Sequence, residues 1–254
     1  REKFLSYLES AVTRYGAVIH TWCLMDNHYH LLVETPRGNL SQIMRHINGA
    51  YTTYFNIKRQ RSGHLFQGRY KAILVEADAY ALELSRYIHL NPVRANMVDK
   101  PEDYTWSSYG NYIAQNRVPD WLDTTFILGY FKTETSSVHE MYRQFVENSC
   151  KKDKNPLENV IGSAILGSQN FINEVLTRSL IEQTVTRIKA ELGPSENLRN
   201  ICIYSCRHYS GAKLKEIGNY FGISDAAVSQ ASHRLSLKAV QNKILEDQLI
   251  RIKD

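Results

Sequence analysis

Two histidines separated by a single residue, His28 and His30, lie in the stretch MDNHYHLLVE (25–34), at the start of a predicted β-strand. Successive side chains of a strand alternate between its two faces, so both imidazoles project from one face and Tyr29 from the other. The two residues are about 7 Å apart along a strand, so both rings can reach one metal ion. By itself an H-x-H pair is a weak signal, because such pairs also occur by chance. A metal site therefore needs a further ligand from elsewhere in the chain.

A second candidate group lies further along the chain, in the helical pattern YALELSRYIHLNP (80–92). Tyr87 and Asn91 are four residues apart and share one helical face, with Glu83 one turn earlier. This face would place a phenol and a neutral oxygen ligand side by side over the sheet. The alternative is structural: Tyr87 packs in the core and Asn91 caps the helix before Pro92. Without the histidines, the residues of this helix favour that alternative.

The segment between these two groups carries positive charge and no acidic residue. From Arg37 to Lys71 there is no Asp or Glu. Aromatic residues are interleaved with the basic ones: Tyr51, Tyr54, Phe55, Phe66 and Tyr70. Cations that neutralise phosphates, beside rings on which bases stack, suit a groove for single-stranded nucleic acid. The alternative is an ordinary cationic surface over buried rings. We favour nucleic acid, with the predicted contacts Arg45, Lys58, Arg59, Arg61, Arg69 and Lys71.

The composition excludes several classes of protein. With 254 residues, 43% of them hydrophobic and 22% charged, the chain can form a domain of average size and a smaller one. No apolar run approaches the roughly 18–20 residues of a membrane span, so we expect no membrane partner. The net charge of +5 is weak evidence for a polyanionic partner. The spacing of the cysteines is not that of a zinc site and favours free thiols and a cytoplasmic location; they are Cys23, Cys150, Cys202 and Cys206.

The periodicity of apolar residues predicts an α+β fold. In chain order it indicates a helix, two strands, a helix, one or two strands and a helix, over residues 1–16, 17–25, 28–34, 39–59, 64–76 and 78–92. Asp26-Asn27 tolerates the positive φ of a tight hairpin turn between the first two strands. The last helix is predicted to have Asp78 as its N-cap and to end near Pro92. A further strand upstream of Arg1 would complete an antiparallel sheet with helices packed on it.

A compact tail follows Gly193-Pro194, which ends the preceding helical pattern. In LKEIGNYFGISDAAVSQASHRL (214–235), Gly222 is a predicted turn and Ser224 a predicted cap for the next helix. This pattern predicts a helix-turn-helix, whose second helix would present Asp225, Ser229, Gln230, Ser232, His233 and Arg234. Those expected to contact DNA are Ser229, Gln230, His233 and Arg234. The alternative is a small helical bundle for packing or dimerisation.

These motifs together resemble those of a known family. The H-x-H strand, HLFQGRYKA (64–72) and above all LSRYIHLNPVRANMV (84–98) resemble the single-tyrosine HUH transposases, and among them the REP-associated tyrosine transposases. The resemblance extends over 1–115. A later piece, ILGSQNFINEV (165–175), is similar to the C-terminal extension of REP-associated members. The tail, through residues 214–235, resembles the DNA-binding domain of the bacterial replication initiator DnaA.

The resemblance implies a fold and a domain organisation. It implies a ferredoxin-like α+β core with an antiparallel sheet, whose first strand lies upstream of Arg1. We therefore expect an HUH catalytic domain over 1–115. A helical linker or extension, whose function the sequence does not indicate, is expected over 116–194. An all-α helix-turn-helix domain is expected over 195–254.

The resemblance also implies roles for the site residues. His28 and His30 would hold Mg²⁺ or Mn²⁺, Asn91 would be the third ligand, and Tyr87 the nucleophile. Imidazole is a poor ligand for Mg²⁺, which favours Mn²⁺ or a weak site completed by the substrate phosphate. A phenol with its ordinary pKa near 10 needs a metal or a base, and Glu83 is a candidate base. Substitute nucleophiles on the same argument are Tyr80 and, less suitably placed, Tyr70.

The implied activity is metal-dependent nicking and rejoining of single-stranded DNA through a 5′-phosphotyrosine, as in DNA transposition and recombination. The DNA partner would be a single strand or hairpin at the catalytic domain and a duplex at the tail. Two rivals stay open: a non-catalytic DNA-binding regulator on the same fold, and a metal phosphodiesterase that uses water. The sequence leaves the target sequence and the oligomeric state, including a homodimer, undetermined.

Overall fold

A computed structural model of the chain describes residues 1–131, 137–148, 155–162 and 164–253; Cys150 lies outside these ranges. The chain divides into two compact units, Arg1–Gly167 and Ser168–Asp254, which are described separately. The predicted boundaries at 115 and 194 do not coincide with this division, and the predicted three-domain organisation stays a prediction.

The first unit is a mixed α and β structure built around a two-stranded hairpin. Its elements are α1 (Glu2–Tyr15), β1 (Val18–Leu24), β2 (Tyr29–Glu34), α2 (Leu40–Lys58), β3 (Leu74–Val75), α3 (Ala77–Arg94), α4 (Tyr109–Tyr112), α5 (Thr125–Leu128), α6 (Val138–Glu147) and β4 (Ile165–Leu166). Short 3-10 helices lie at Pro101–Asp103, Gly129–Phe131 and Pro156–Asn159. The predicted α+β class is therefore observed at this coarse level.

The β1–β2 hairpin forms where the sequence predicts it, but neither Asp26 nor Asn27 adopts a positive φ in its turn. The two strands pair antiparallel, with Cys23 opposite His30 and Leu24 opposite Tyr29. The turn is closed by a 2.9 Å hydrogen bond from the Met25 N–H to the His28 carbonyl oxygen. A short turn fixes the register of the two strands, and so which β1 residues lie opposite which β2 residues.

The hairpin is covered on both faces by helices. On one face, α1 and α2 pack through Phe4, Leu8 and Ile43 around the apolar residues of β1. On the other face, α3 contacts both strands, and Ile88 packs against Cys23. This two-sided cover explains why nearly all of β1 is buried. It also means that side chains of β2 face different helices in alternation.

Two predictions about the strands require correction. The one or two strands expected over 64–76 reduce to β3, because Gly68 adopts a φ angle of 104°, which interrupts an extended run. β3 pairs with β4 in parallel over two residues, so the antiparallel pairing between named strands of the described residues is confined to the hairpin. The ferredoxin-like arrangement stays a prediction.

The ends of α3 also differ from expectation. The helix begins at Ala77 after Glu76, so Asp78 lies in the first turn and is not the N-cap. At its other end the helix continues through Pro92 to Arg94. Proline removes one backbone donor, but the turn continues, and the Met97 N–H donates to the Pro92 carbonyl oxygen at 2.9 Å.

The second unit is helical throughout its described elements. These are α7 (Gln169–Leu192), α8 (Leu198–Tyr209), α9 (Leu214–Phe221), α10 (Asp225–Gln241) and α11 (Lys243–Lys253). Their shared core is apolar and includes Ile188, Ile201, Ile217 and Leu235. None of the helices in the described ranges combines the length and apolar character needed to cross a membrane.

The connection between α9 and α10 has the predicted local structure. Gly222 is left-handed at φ 67°, and the Ser224 hydroxyl oxygen accepts a 3.2 Å hydrogen bond from the Ala227 N–H. A side chain at Gly218 would place its Cβ 2.6 Å from the Ile223 carbonyl oxygen, so the helices can approach closely only with glycine there. The function of this pair as a DNA-binding helix-turn-helix stays a prediction.

Candidate active site

The two histidines lie together at the start of β2, on the face covered by α3. The Nε2 atoms of His28 and His30 are 3.1 Å apart, and the ring centroids are 4.9 Å apart. The His30 ring meets the Tyr87 ring edge to face, with centroids 6.0 Å apart. Tyr29 lies on the opposite face, where its hydroxyl donates to Asn48 Oδ1 of α2 at 2.7 Å. Strand alternation thus separates Tyr29 from the candidate site.

The chemical state of the histidines suits metal binding. Burial, reinforced by the neighbouring His28 imidazole, lowers the pKa of His30 from 6.5 to about 4, so His30 is neutral at pH 7. The His28 Nδ1 atom lies 2.7 Å from the Asn27 Oδ1, a bond in which the ring donates. Such a bond leaves the lone pair of a neutral His28 on Nε2, the atom that faces His30. Asn27 therefore orients the first imidazole.

Tyr87 and Asn91 share one face of α3, as their spacing predicts. The Asn91 Nδ2 donates to the Tyr87 carbonyl oxygen at 2.9 Å, so the amide nitrogen is used within the helix. Tyr87 is half-buried and contacts His30, so it is not sealed in the core. The guanidinium of Arg94 lies over the Tyr87 ring, 4.9 Å from its centroid. The sequence interpretation missed Arg94, although its spacing of seven residues from Tyr87 was a usable signal.

The candidate base and the substitute nucleophiles are placed differently. The Glu83 carboxylate is paired with the Arg86 guanidinium one turn along α3. The Tyr70 hydroxyl lies 3.1 Å from Ser41 Oγ of α2, the helix that covers the Tyr29 face of the hairpin. Among the described residues, the tyrosine whose ring contacts His30 is Tyr87. The roles predicted for Glu83, Tyr80 and Tyr70 stay predictions.

The donor set can be tested against the implied metal. Two nitrogen ligands about 2.1 Å from one ion and about 90° apart lie about 3.0 Å from each other, close to the observed separation of the imidazole nitrogens. In the described part of the chain, no group of three or more His, Cys, Asp or Glu could hold a metal ion. A third ligand must then be a neutral oxygen such as Asn91 Oδ1, or an oxygen of the substrate. Neutral nitrogen and oxygen donors fit Mn²⁺ better than Mg²⁺.

The buried side of α3 is anchored by a second histidine. His89 is inaccessible to solvent, and its Nδ1 and Nε2 atoms lie 2.7 Å from the Tyr142 hydroxyl and 2.7 Å from Ser108 Oγ. Tyr142 belongs to α6, within the segment whose role could not be read from the sequence. Burial lowers the pKa of His89 from 6.5 to about 3, so the imidazole is neutral. These contacts fix the helix that carries Tyr87.

The basic segment forms a cleft along α2. The cleft measures about 410 Å³, and its lining includes Arg45, Asn48, Phe66, Arg69 and Tyr70. Two of the predicted DNA contacts and two of the interleaved rings are thus brought together. The remaining predicted contacts lie outside the cleft lining: Lys58 over the Tyr54 ring, Arg59 and Arg61 over the Phe55 ring, and Lys71, which is exposed.

In the second unit, α10 presents most of the predicted DNA contacts to solvent. Gln230, His233 and Arg234 are exposed and Ser229 is half-buried. Ser232 was expected on the same surface, but it is buried because it faces α8, where its hydroxyl lies 3.4 Å from His208 Nε2. A notch of about 390 Å³ lies here, lined by Arg207, His208, Ser229, Ser232, His233 and Ser236. Arg207 and His208, in the last turn of α8, were missed from the sequence.

Comparison with known proteins bears on the first of these sites. Residues 1–91 match the family model for IS200-like transposases. The matched range contains both histidines, Tyr87 and Asn91. The match supports a transposase family, with DNA transposition as the activity and DNA as the partner at family level. Searches of curated proteins and of solved structures found no match.

Proposed function

We propose that the chain is a metal-dependent transposase that nicks and rejoins single-stranded DNA through a covalent 5′-phosphotyrosine on Tyr87. One observation carries the proposal: the Tyr87 ring contacts His30, whose imidazole nitrogen faces that of His28 at 3.1 Å. The proposed nucleophile and the proposed metal-binding pair are therefore adjacent. The IS200-like match over residues 1–91 supports the same reading.

The reaction follows from the chemistry of a phenol beside a phosphodiester. The Tyr87 hydroxyl oxygen attacks phosphorus in line with the leaving oxygen, and the phenol proton passes to solvent or a base. The new P–O bond joins Tyr87 to the 5′ end, and the P–O3′ bond breaks. Its electron pair stays on the 3′ oxygen, which takes up a proton. The energy of the phosphodiester is kept in the phosphotyrosine, so a 3′-hydroxyl can reverse the step without a nucleotide cofactor.

His28, His30 and Asn91 would hold Mn²⁺ or Mg²⁺ beside Tyr87. When bound, the ion supplies positive charge that polarises a phosphate oxygen. The protein orients these donors itself. Asn27 orients the ring of His28. Asn91 donates from Nδ2 to the Tyr87 carbonyl oxygen, so its Oδ1 takes no part in that hydrogen bond. His89, held between Tyr142 and Ser108, positions the helix that presents Tyr87.

The DNA contacts are proposed on both units. In the cleft beside α2, Arg45 and Arg69 would neutralise phosphates while Phe66 and Tyr70 stack on bases of a single strand. On α10, Gln230, His233 and Arg234 would contact a duplex or the stem of a hairpin. This division would suit a REP-associated transposase that recognises a hairpin and cuts beside it.

The proposal is tested by incubating the protein with a library of hairpin-bearing single strands and Mn²⁺. We expect a gel-stable protein–DNA adduct, whose strand is sequenced and whose attachment site is mapped to Tyr87. Tyr87→Phe should abolish the adduct, whereas Tyr80→Phe and Tyr70→Phe should retain it. Cleavage without an adduct in Tyr87→Phe would instead indicate a phosphodiesterase that uses water. Binding without cleavage in the wild-type protein would indicate a regulator.

A further inference from the structure

Arg94 lies beside the proposed nucleophile Tyr87. Its guanidinium is over the Tyr87 ring, 4.9 Å from the centroid, and the side chain is exposed. In the described part of the chain it forms no ion pair with a carboxylate. Arg86, on the same helix, differs because Glu83 neutralises its charge. We infer that Arg94 binds the scissile phosphate and holds it against Tyr87; the inference rests on the proposed function.

The position of Arg94 depends on the end of α3. Tyr87, Asn91 and Arg94 occupy positions i, i+4 and i+7, which form one stripe only while the helix continues. Because α3 passes through Pro92 to Arg94, the stripe presents a phenol, an amide and a cation in a row. A helix that ended at Pro92 would leave Arg94 without a defined direction. The additional turn therefore completes the site.

The geometry suits a phosphate bonded to the Tyr87 oxygen. That phosphorus lies just beyond the ring edge, and the guanidinium already lies close to the ring. Contact with a ring face fixes the guanidinium plane but leaves its N–H donors available. The planar fork matches two phosphate oxygens with parallel hydrogen bonds, which a lysine ammonium cannot reproduce. Arg94 would hold the phosphate before attack and in the phosphotyrosine, and so assist both cutting and rejoining.

A purely structural role for Arg94 makes a different prediction. A cation in the last turn of a helix stabilises it through the helix dipole, and the cation–π contact with Tyr87 packs the ring. Loss of either effect would lower stability and weaken binding of every DNA strand alike. Phosphate binding, in contrast, couples Arg94 to the charge of one phosphate in the strand. The measurement must therefore change that charge alone.

The test is a thermodynamic cycle in the Tyr87→Phe protein with EDTA, where neither cleavage nor metal binding occurs. The probe is the strand recovered as an adduct with the wild-type protein, carrying at its mapped scissile position either the normal phosphate or a neutral methylphosphonate. Affinity is measured by fluorescence anisotropy. With Arg94 present, we expect the methylphosphonate to weaken binding roughly tenfold, the size of one charge-assisted contact. In Arg94→Gln the two strands should bind alike, and Arg94→Lys should show an intermediate ratio.

Matched measurements make each outcome decisive. Arg69→Gln removes a cation from the cleft beside α2 and should weaken both strands equally, leaving the tenfold ratio intact. Circular dichroism and thermal unfolding check that the Arg94 variants are folded, and Arg94→Lys keeps a charge if Arg94→Gln is unstable. An unchanged ratio in a folded Arg94→Gln or Arg94→Lys protein would overturn the inference while leaving the proposed function standing. Failure of the wild-type protein to form an adduct with any strand would overturn both.

Discussion

The imidazole of His89 on α3 and the hydroxyl of Tyr142 on α6 are joined by a 2.7 Å hydrogen bond, although the residues are 53 positions apart in the chain. The same hydroxyl donates to Ser85 Oγ at 3.0 Å, so its proton is used there and its oxygen accepts from His89 Nδ1. The other ring nitrogen, Nε2, lies 2.7 Å from Ser108 Oγ. Both ring nitrogens of neutral His89 thus have polar partners, and α6 supports the helix that carries Tyr87.

Tyr142→Phe should destabilise the first unit. The substitution leaves the buried His89 N–H without its acceptor, which costs about 1–3 kcal/mol of unfolding free energy, while the Ser85 hydroxyl keeps its bond to the Leu82 carbonyl oxygen. Urea denaturation measures the loss. Tyr130→Phe is the control, because the Tyr130 side chain is 42% exposed. Equal stabilities of the two variants would contradict the role of the network.

The stability of the protein should fall in acid because of His89. Its pKa is about 3 when folded and about 6.5 when unfolded, so the unfolded chain takes up the proton first as the pH falls. The contribution is present above pH 6.5 and decreases progressively towards pH 3, by at most about 5 kcal/mol. The groups facing the ring are Ser108 and the tyrosines Tyr109, Tyr112 and Tyr142, none of which carries charge in this range.

Urea denaturation between pH 4 and pH 7, with EDTA present to exclude metal binding, measures this slope. His89→Gln has no titrating ring, so its stability should depend less steeply on pH over the same window. Identical slopes for the two proteins would assign the acid sensitivity to other groups.

Metal binding should require both histidines of the pair. Removing either His28 or His30 leaves one nitrogen donor, and we expect His28→Ala and His30→Ala to weaken Mn²⁺ binding at least tenfold. Asn27→Ala should weaken it by roughly tenfold, because it frees the His28 ring. Electron paramagnetic resonance of free Mn²⁺ measures the affinity without DNA. His46→Ala, which removes a histidine bonded to Ser10, should leave it unchanged. Equal binding by all four variants would refute this metal site.

The residues that could be predicted are those linked by local geometry. His28 and His30 share a face because a hairpin alternates, and Tyr87 and Asn91 share a face because a helix repeats. The His89–Tyr142 bond could not be predicted, since no local pattern links residues on separate helices. Arg94 was missed because Pro92 was taken as the end of α3. One or two strands were expected over 64–76 from the apolar pattern, but the strand there is confined to β3, and the φ angle of Gly68 interrupts the run before it.

The surface of α10 should matter for binding a hairpin more than for cutting. Gln230 and Arg234 are exposed on α10. This helix belongs to the second unit, whereas the candidate active site belongs to the first. Gln230→Ala with Arg234→Ala should weaken binding of a hairpin-bearing strand by about 1–3 kcal/mol per lost base contact. The rate of cutting a short unstructured strand should stay within about twofold. Lys243→Ala, an exposed cation on α11, is the control. Equal losses of hairpin binding and of cutting would contradict this division of roles between α10 and the candidate active site.

The cleft beside α2 should bind single strands partly through Phe66. Its ring is half-buried and lies next to the rings of Tyr29 and Tyr51, so one face is supported while the cleft remains open. Phe66→Leu keeps apolar packing but removes stacking, and should cost about 1–3 kcal/mol of affinity for an unstructured strand.

Ile57→Ala is the control for this prediction. It removes an apolar side chain that is 75% exposed at the end of α2, and should change the affinity little. Since stacking does not depend on phosphate charge, the salt dependence of binding should stay the same in Phe66→Leu and become shallower in Arg69→Gln. Fluorescence anisotropy over a salt series separates the two effects, and a parallel loss of salt dependence in Phe66→Leu would contradict the stacking role.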